Sequence, residues 1–466
     1  MNGPARLASA LDAGDGARAA LVAGDKTWTY ARLREDARAA AAALGDRRGA
    51  RVGLRCADAA KFVPAFFGAL LAGAAVVPLA AELPDAAAEA LLDRAGCSAV
   101  LGDDGTRERA VAAGPGAPDP DEALVLFTSG TTGAPKGVVH SGEAVLANAR
   151  AVAASLSLSP ADRTSVFLPL TFSYGLSQML STFSAGGSVV AEPFFHPAFF
   201  VKRLRETGAT GFGGVPSHLR LLSARGAERP HDLPSLRWVM NAGGPLEARE
   251  LAAVRSAFPR AEVVCAYGCT EIGPRATQLP AARLADKAGS IGVAIAGVSA
   301  VVLDPAGRET AAGETGELVL SGPSLMKGYL GDPAATERAL GPRGFRTGDL
   351  AARDADGFLW FKGRADDQFK SGGEKIDARA VELALLSHPA VAEAVVVPVP
   401  DAILGAAPKA VVVLKAGAAA GADELKAHAR GLVPPSHVPK SFVFADALEK
   451  TPNGKVRRSA YAEARA

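Results

Sequence analysis

Short runs of β-branched and other apolar residues recur along the chain, set between alanine-rich stretches that read as helices. The runs RVGLRC, AVVPLA, TSVFLPL, GSVVAEP, LRWVMN, EVVCAYG, SAVVLD and GELVLSG predict strands, and their alternation with helices predicts parallel or mixed sheets covered by helices. Between Lys61 and Glu82 the run FVPAFFGALLAGAAVVPLAA has the length of a bilayer span. It is alanine-rich rather than leucine-rich, and Gly73 and Pro78 divide it, so it predicts a short helix and a short strand of a buried α/β core. The Gly-, Pro-, Asp- and Arg-rich stretch from Asp103 to Asp121 predicts a surface connection.

The pattern changes near Gly357. An amphipathic helix around Ala378 to Leu386, strands AEAVVVPV and APKAVVVLK, a helix near Asp423 to Arg430 and a basic tail predict a compact α+β unit of roughly a hundred residues. The fold class is therefore α/β: a large body of several subdomains over residues 1–363, followed by a small C-terminal domain over residues 364–466.

Length and composition narrow the class. The 466 residues suggest two to four domains, and 48% hydrophobic against 21% charged residues exclude a wholly disordered chain. With 51 Lys and Arg against 49 Asp and Glu, the formal charge of +2 advertises neither a nucleic-acid nor an anionic-membrane surface. Four cysteines without a CxxC pair make neither a disulfide framework nor a zinc site. The N-terminus lacks a signal-peptide pattern, so the expected location is cytoplasmic.

The stretch LVLFTSGTTGAPKGVVH, from Leu124 to His140, carries the clearest chemistry. An apolar strand delivers Thr128, Ser129, Gly130, Thr131, Thr132 and Gly133, whose backbone N–H groups and hydroxyls can converge on an anion. Lys136 adds a mobile positive charge suited to a nucleoside triphosphate. A P-loop is excluded, because only two residues separate Gly133 from Lys136 and Gly137 stands where Ser or Thr would follow the lysine.

TSGTTGAPKG resembles the signature of the adenylate-forming superfamily, which includes acyl-CoA synthetases, nonribosomal adenylation domains and firefly-type luciferases. Further motifs of that superfamily follow in order: NAGGPL from Asn241, YGCTE from Tyr267, RTGDL from Arg346, GRADDQFKSGG from Gly363 and PNGK from Pro452. The resemblance spans nearly the whole chain and is closest to acyl- or aryl-CoA ligases. It implies ATP-dependent activation of a carboxylic acid as an acyl-adenylate, with release of pyrophosphate, then transfer to the thiol of CoA.

Roles follow by the same resemblance. The Thr128–Lys136 loop holds the β- and γ-phosphates, Thr270 bonds the α-phosphate, and Glu271 helps hold Mg²⁺, a hard cation that prefers oxygen. Tyr267, Gly268 and the backbone of Ala242, Gly243 and Gly244 enclose adenine, Asp349 accepts from the ribose hydroxyls, and Arg364 makes a second contact to the ribose or to a phosphate. Lys455 is the catalytic lysine of the first half-reaction. A swing of the mobile C-terminal domain about Asp366 then withdraws it and brings Lys370, Gly372 and Gly373 to a tunnel for the thiol. Arg457 and Arg458 read as a solvated tail.

The acyl pocket is implied to include Phe172, Ser173, Tyr174, Gly175, Gly213, Gly214, His218 and Cys269. No residue from Thr171 to Gln178 is charged, which favours an apolar or aromatic acid over an amino acid. His218 reads either as a substrate contact or as a structural histidine. Arg275 pairs either an acidic substituent or, the favoured reading, a structural carboxylate. Carrier-protein phosphopantetheine is the alternative acceptor to CoA. A luciferase-like oxidase and a degenerate nucleotide binder are readings from other classes.

Overall fold

The computed structural model describes residues 2–110, 115–128, 135–224, 229–365, 368–371, 374–450 and 456–462. All eight apolar runs form strands, and the bilayer-length run forms the helix Ala59–Leu71 and the strand Ala75–Pro78. Asp58 caps that helix by accepting from the Ala60 N–H, satisfying one of its orphan donors. No helix among the described residues is long and apolar enough to cross a membrane. The expected surface connection differs in part: Gly105–Glu108 is an exposed strand pairing antiparallel with Cys97–Gly102.

A nine-stranded sheet has a parallel centre in which Glu262–Tyr267, Trp238–Asn241, Gly211–Gly214, Arg163–Val166, Ser188–Ala191 and Ala19–Ala23 lie side by side. A seven-stranded sheet runs from Gly328–Tyr329 through Lys136–Ser141 and Glu122–Thr128 to Gly105–Glu108. Helices Tyr30–Leu44, Ala59–Leu71, Gly142–Ser155 and Ser173–Ser184 join both sheets in one core with Leu21, Val76, Leu124 and Val189. Burial of this kind contributes about 25 cal/mol per Å² of apolar surface. The buried Arg51 is held by a bidentate pair with Glu122 and two carbonyls, tying two strands of the second sheet.

A five-stranded sheet follows, in which Gly344–Arg353 pairs with Thr315–Ser321 and Leu359–Arg364. Beyond it, Gln368–Ser371 and Glu374–Asp377 form a hairpin. Val391–Asp401, Gly405–Leu414 and Ser441–Phe444 form a sheet packed on helices Ala378–Leu386 and Ala422–Arg430.

The site is positioned by one property of the central sheet. The strands ending at Val166, Gly214, Asn241 and Tyr267 are parallel neighbours, so the segments leaving them emerge together at the carboxyl edge. Ligands of open α/β sheets bind at this edge.

Candidate active site

Thr270 occupies a single turn, Thr270–Ile272, just past the strand ending at Tyr267. Its hydroxyl lies 3.2 Å from that of Ser173, and its carbonyl accepts from His140 Nε2 at 2.8 Å. A carbonyl only accepts, so Nε2 carries the proton and buried Nδ1 is bare, without a partner among the described residues. Burial drives the His140 pKa down to about 4, against a weaker opposing effect of the Thr270 bond. A neutral histidine thus fixes the backbone of Thr270 from behind.

Glu271 follows. Its carbonyl accepts from the Met326 N–H at 2.7 Å, and its carboxylate accepts from the Tyr329 hydroxyl at 3.0 Å. Tyr329 reaches this place because Gly328–Tyr329 pairs antiparallel with Val138 and Val139. The same pairing sets its ring under the Lys136 ammonium, 5.0 Å from the ring centre. Burial, then the Glu271 charge, raises the Tyr329 pKa, so the phenol stays protonated and donates. Tyr329 was missed by sequence reasoning, and only the pairing of its short strand reveals it.

Asp349 sits directly opposite Arg364 across paired strands, and Arg364 Nη1 donates to its Oδ1 at 2.9 Å. The Tyr267 hydroxyl donates to its Oδ2 at 2.5 Å. Burial first, and the Asp349 charge second, hold the Tyr267 phenol well above its ordinary pKa. Two other segments thus meet on the Asp349 carboxylate, which has about four lone-pair sites.

The turn after Asn241 is held by its side-chain amide, which donates to the Gly244 carbonyl at 2.8 Å. Gly243 lies at φ +83°, a conformation a side chain would strain, and Ala242 is buried. A Cβ on Gly268 would meet the Pro274 backbone at 2.5 Å, so this glycine permits a close backbone crossing.

The expected acyl pocket comes together in part. Phe172 precedes the helix Ser173–Ser184, where Tyr174 donates to the Met240 carbonyl at 3.4 Å and a Cβ on Gly175 would strike the Pro169 carbonyl oxygen. Gln178 exchanges two hydrogen bonds with the Gly213 backbone. Beyond Gly214, the His218 ring sits edge-on to Phe167 and Phe194, each with ring centres 5.0 Å away, and burial lowers its pKa.

Two expectations need correction, those for Arg275 and Arg458. Cys269, expected in the acyl pocket, packs against the apolar cluster of Val138, Met326 and Phe345, within reach of the Glu271 and Asp349 charges. The extended backbone there puts Tyr267 and Cys269 on one face and Gly268 on the other. Arg275 has no structural carboxylate among the described residues. Arg458 is no solvated tail: it donates to the Glu382 carboxylate and, at 2.8 Å, to the Val396 carbonyl, while Arg457 pairs with Glu449. Glu382 is buried and needs that cation.

Thr128 ends its strand opposite Lys136. Lys370 lies in the strand Gln368–Ser371. Ser129, Gly130, Thr131, Thr132, Gly133, Asp366, Gly372, Gly373 and Lys455 lie outside the described residues.

Comparison with known proteins identifies the family. The family profile described as AMP-binding enzyme matches residues 10–116 and 105–330, and that of the AMP-binding enzyme C-terminal domain matches residues 380–455. A feruloyl-CoA synthase of Amycolatopsis is 36% identical over 337 residues, covering 72% of this chain and 68% of the relative. A sulfoacetate–CoA ligase of Cupriavidus necator is 36% identical over 346 residues, covering 73% and 67%. The o-succinylbenzoate CoA synthetase of Bacillus subtilis, solved with its acyl-adenylate intermediate, superposes with a TM-score of 0.86 at 27% identity, covering 100% of this chain and 99% of that one. It has also been solved with ATP and a magnesium ion. By its sequence, its fold and the order of its motifs, the chain belongs to the AMP-binding enzyme family, whose relatives here are AMP-forming acyl- and aryl-CoA ligases.

Proposed function

We propose that this protein is an ATP-dependent acid–thiol ligase that activates an aromatic carboxylic acid as its acyl-adenylate and passes the acyl group to the thiol of CoA. The observation that carries the reading is that Lys136, through Tyr329, and the Asp349–Arg364 pair, through Tyr267, come from strands of two other sheets to the segment Tyr267–Glu271, which leaves the central sheet at its carboxyl edge. The named substrates of the feruloyl and succinylbenzoate relatives support the aromatic class.

In the first step a carboxylate oxygen attacks the α-phosphorus, the bond to the bridging oxygen breaks, and pyrophosphate leaves. An anion thereby attacks an anion, so the site must supply positive charge and fixed donors. Lys136 neutralises the outer phosphates, and Thr270 is held by His140 and Ser173 to donate to the α-phosphate. The Glu271 carboxylate, oriented by Tyr329, suits a magnesium ion, which when bound offsets triphosphate charge. Asp349 accepts from the ribose hydroxyls while Tyr267 and Arg364 fix it. Lys455 is assigned the bridge between the attacking carboxylate and the α-phosphate, and the C-terminal domain the swing about Asp366.

In the second step the thiol sulfur bonds to the acyl carbon, the carbon–oxygen bond to phosphate breaks, and AMP leaves. The experiment is pyrophosphate release over a panel of benzoates, cinnamates, fatty acids and amino acids, with CoA or carrier proteins as acceptor. Release with aromatic acids and a CoA thioester product is expected. No pyrophosphate with any acid would overturn the reading, and thioester formed only on a carrier protein would replace CoA as acceptor.

A further inference from the structure

We propose that Arg275 selects, within the ligase reading above, an acid that carries a second anionic group at the end of the molecule away from the reacting carboxylate. Arg275 is 1% exposed, yet its guanidinium makes no hydrogen bond or ion pair among the described residues, and Nη1 is sealed from solvent without a partner. Among the described residues, the other arginines with nearly sealed side chains are paired: Arg51 grips Glu122, and Arg109 meets Glu89 and Asp93. A buried, unpaired cation is strongly disfavoured unless something supplies the counter-charge.

The backbone that carries it is fixed. Asn148 donates its amide to the Arg275 carbonyl at 2.9 Å, and the next residue, Ala276, donates to the Tyr267 carbonyl at 2.8 Å. The Pro274–Arg275 backbone crosses Gly268 so closely that a Cβ there would lie 2.7 Å from the Arg275 nitrogen. The backbone that carries the guanidinium is thus fixed a few residues from Thr270, and Tyr174 is the group whose charge acts on it. Tyr174 lies against Gly213 and Met240, in the wall of the acyl pocket. Burial brings the Arg275 pKa down only to about 10, so the cation persists at neutral pH. A guanidinium fork matches a carboxylate or sulfonate, and neither a phenol nor an alkyl group can neutralise it.

The test compares matched acids, benzoate with terephthalate, isophthalate and 4-sulfobenzoate, and butyrate with glutarate, by kcat/KM for pyrophosphate release. It uses the full chain and its Arg275→Leu and Arg275→Lys variants. The wild type should prefer at least one dianion over its neutral partner by about a hundredfold, the order expected when a built polar contact is lost. Arg275→Leu should abolish that preference while leaving neutral acids within a few-fold and thermal stability undiminished, and Arg275→Lys should keep part of it. Equal or better use of every neutral partner, or a uniform loss with a lowered Tm in Arg275→Leu, would overturn the inference. If no acid releases pyrophosphate, the ligase reading itself fails. Thermal shift then judges Arg275: a dianion raising the Tm of the wild type but not of Arg275→Leu supports the site, and no shift overturns it.

Discussion

The Tyr329 hydroxyl donates to the Glu271 carboxylate at 3.0 Å. Because the same ring lies beneath the Lys136 ammonium, one tyrosine orients both an anion and a cation assigned to the triphosphate. Tyr329→Phe keeps the ring and removes only the donor. A hydrogen bond to a charged group contributes about 1.5–3 kcal/mol, so pyrophosphate release should fall roughly tenfold or more, with a higher magnesium requirement. Tyr329→Leu should cost more, and magnesium titrations unchanged in both variants would contradict the role.

Stability should depend on His140. Its imidazole takes a proton near pH 6.5 when unfolded but only near pH 4 when buried, so the unfolded state binds more protons between these values. Its contribution is therefore complete above pH 6.5 and is lost as pH falls toward 4, by about 3 kcal/mol in all. All three tryptophans lie in strands of the sheets around the site, Trp28 and Trp238 in the nine-stranded sheet and Trp360 in the five-stranded one, so their fluorescence follows the unfolding of these sheets. Urea midpoints at pH 7.5 and 5 should converge in His140→Gln relative to the wild type. Identical pH dependence in both proteins would refute the assignment.

Arg458 is a positioning residue, because its bonds to Glu382 and Val396 anchor the segment just after Lys455. Arg458→Met leaves Glu382 buried with a more distant cation, Arg379 at 3.5 Å, and should destabilise the C-terminal domain by about 3 kcal/mol. Acyl-adenylate formation should fall while thiolysis of preformed acyl-AMP stays within a few-fold. Lys455→Ala should show the same split more severely. Equal loss of both half-reactions would argue against both roles.

Gly213 bears on acyl-pocket size. A Cβ there would approach the Tyr174 hydroxyl to 2.5 Å and Gln178 Nε2 to 3.0 Å, at a backbone angle that alanine tolerates. Gly213→Ala should raise KM for the acid several-fold and leave KM for ATP unchanged. A rise in both would place Gly213 outside the acyl pocket.

Local signals carried much of the fold. Runs such as EVVCAYG declared their strands because β-branched alternation is a property of consecutive residues, and Gly73 and Pro78 divided an apolar run of membrane length. Asp349 and Arg364 stood out only through ordered motifs, and their pairing across strands had no local signature. Tyr329, His140 and Arg458 escaped for the same reason: their partners Glu271, Thr270 and Glu382 are remote in sequence. Arg275 could be read either way until the absence of a carboxylate partner among the described residues became visible.

The central claim, activation of a carboxylate as its adenylate, is tested most directly by oxygen transfer. With the acid labelled by ¹⁸O in both carboxylate oxygens, the full cycle with CoA should leave one labelled oxygen in AMP and none in pyrophosphate. Label in inorganic phosphate together with ADP, or no label in any nucleotide, would contradict the account.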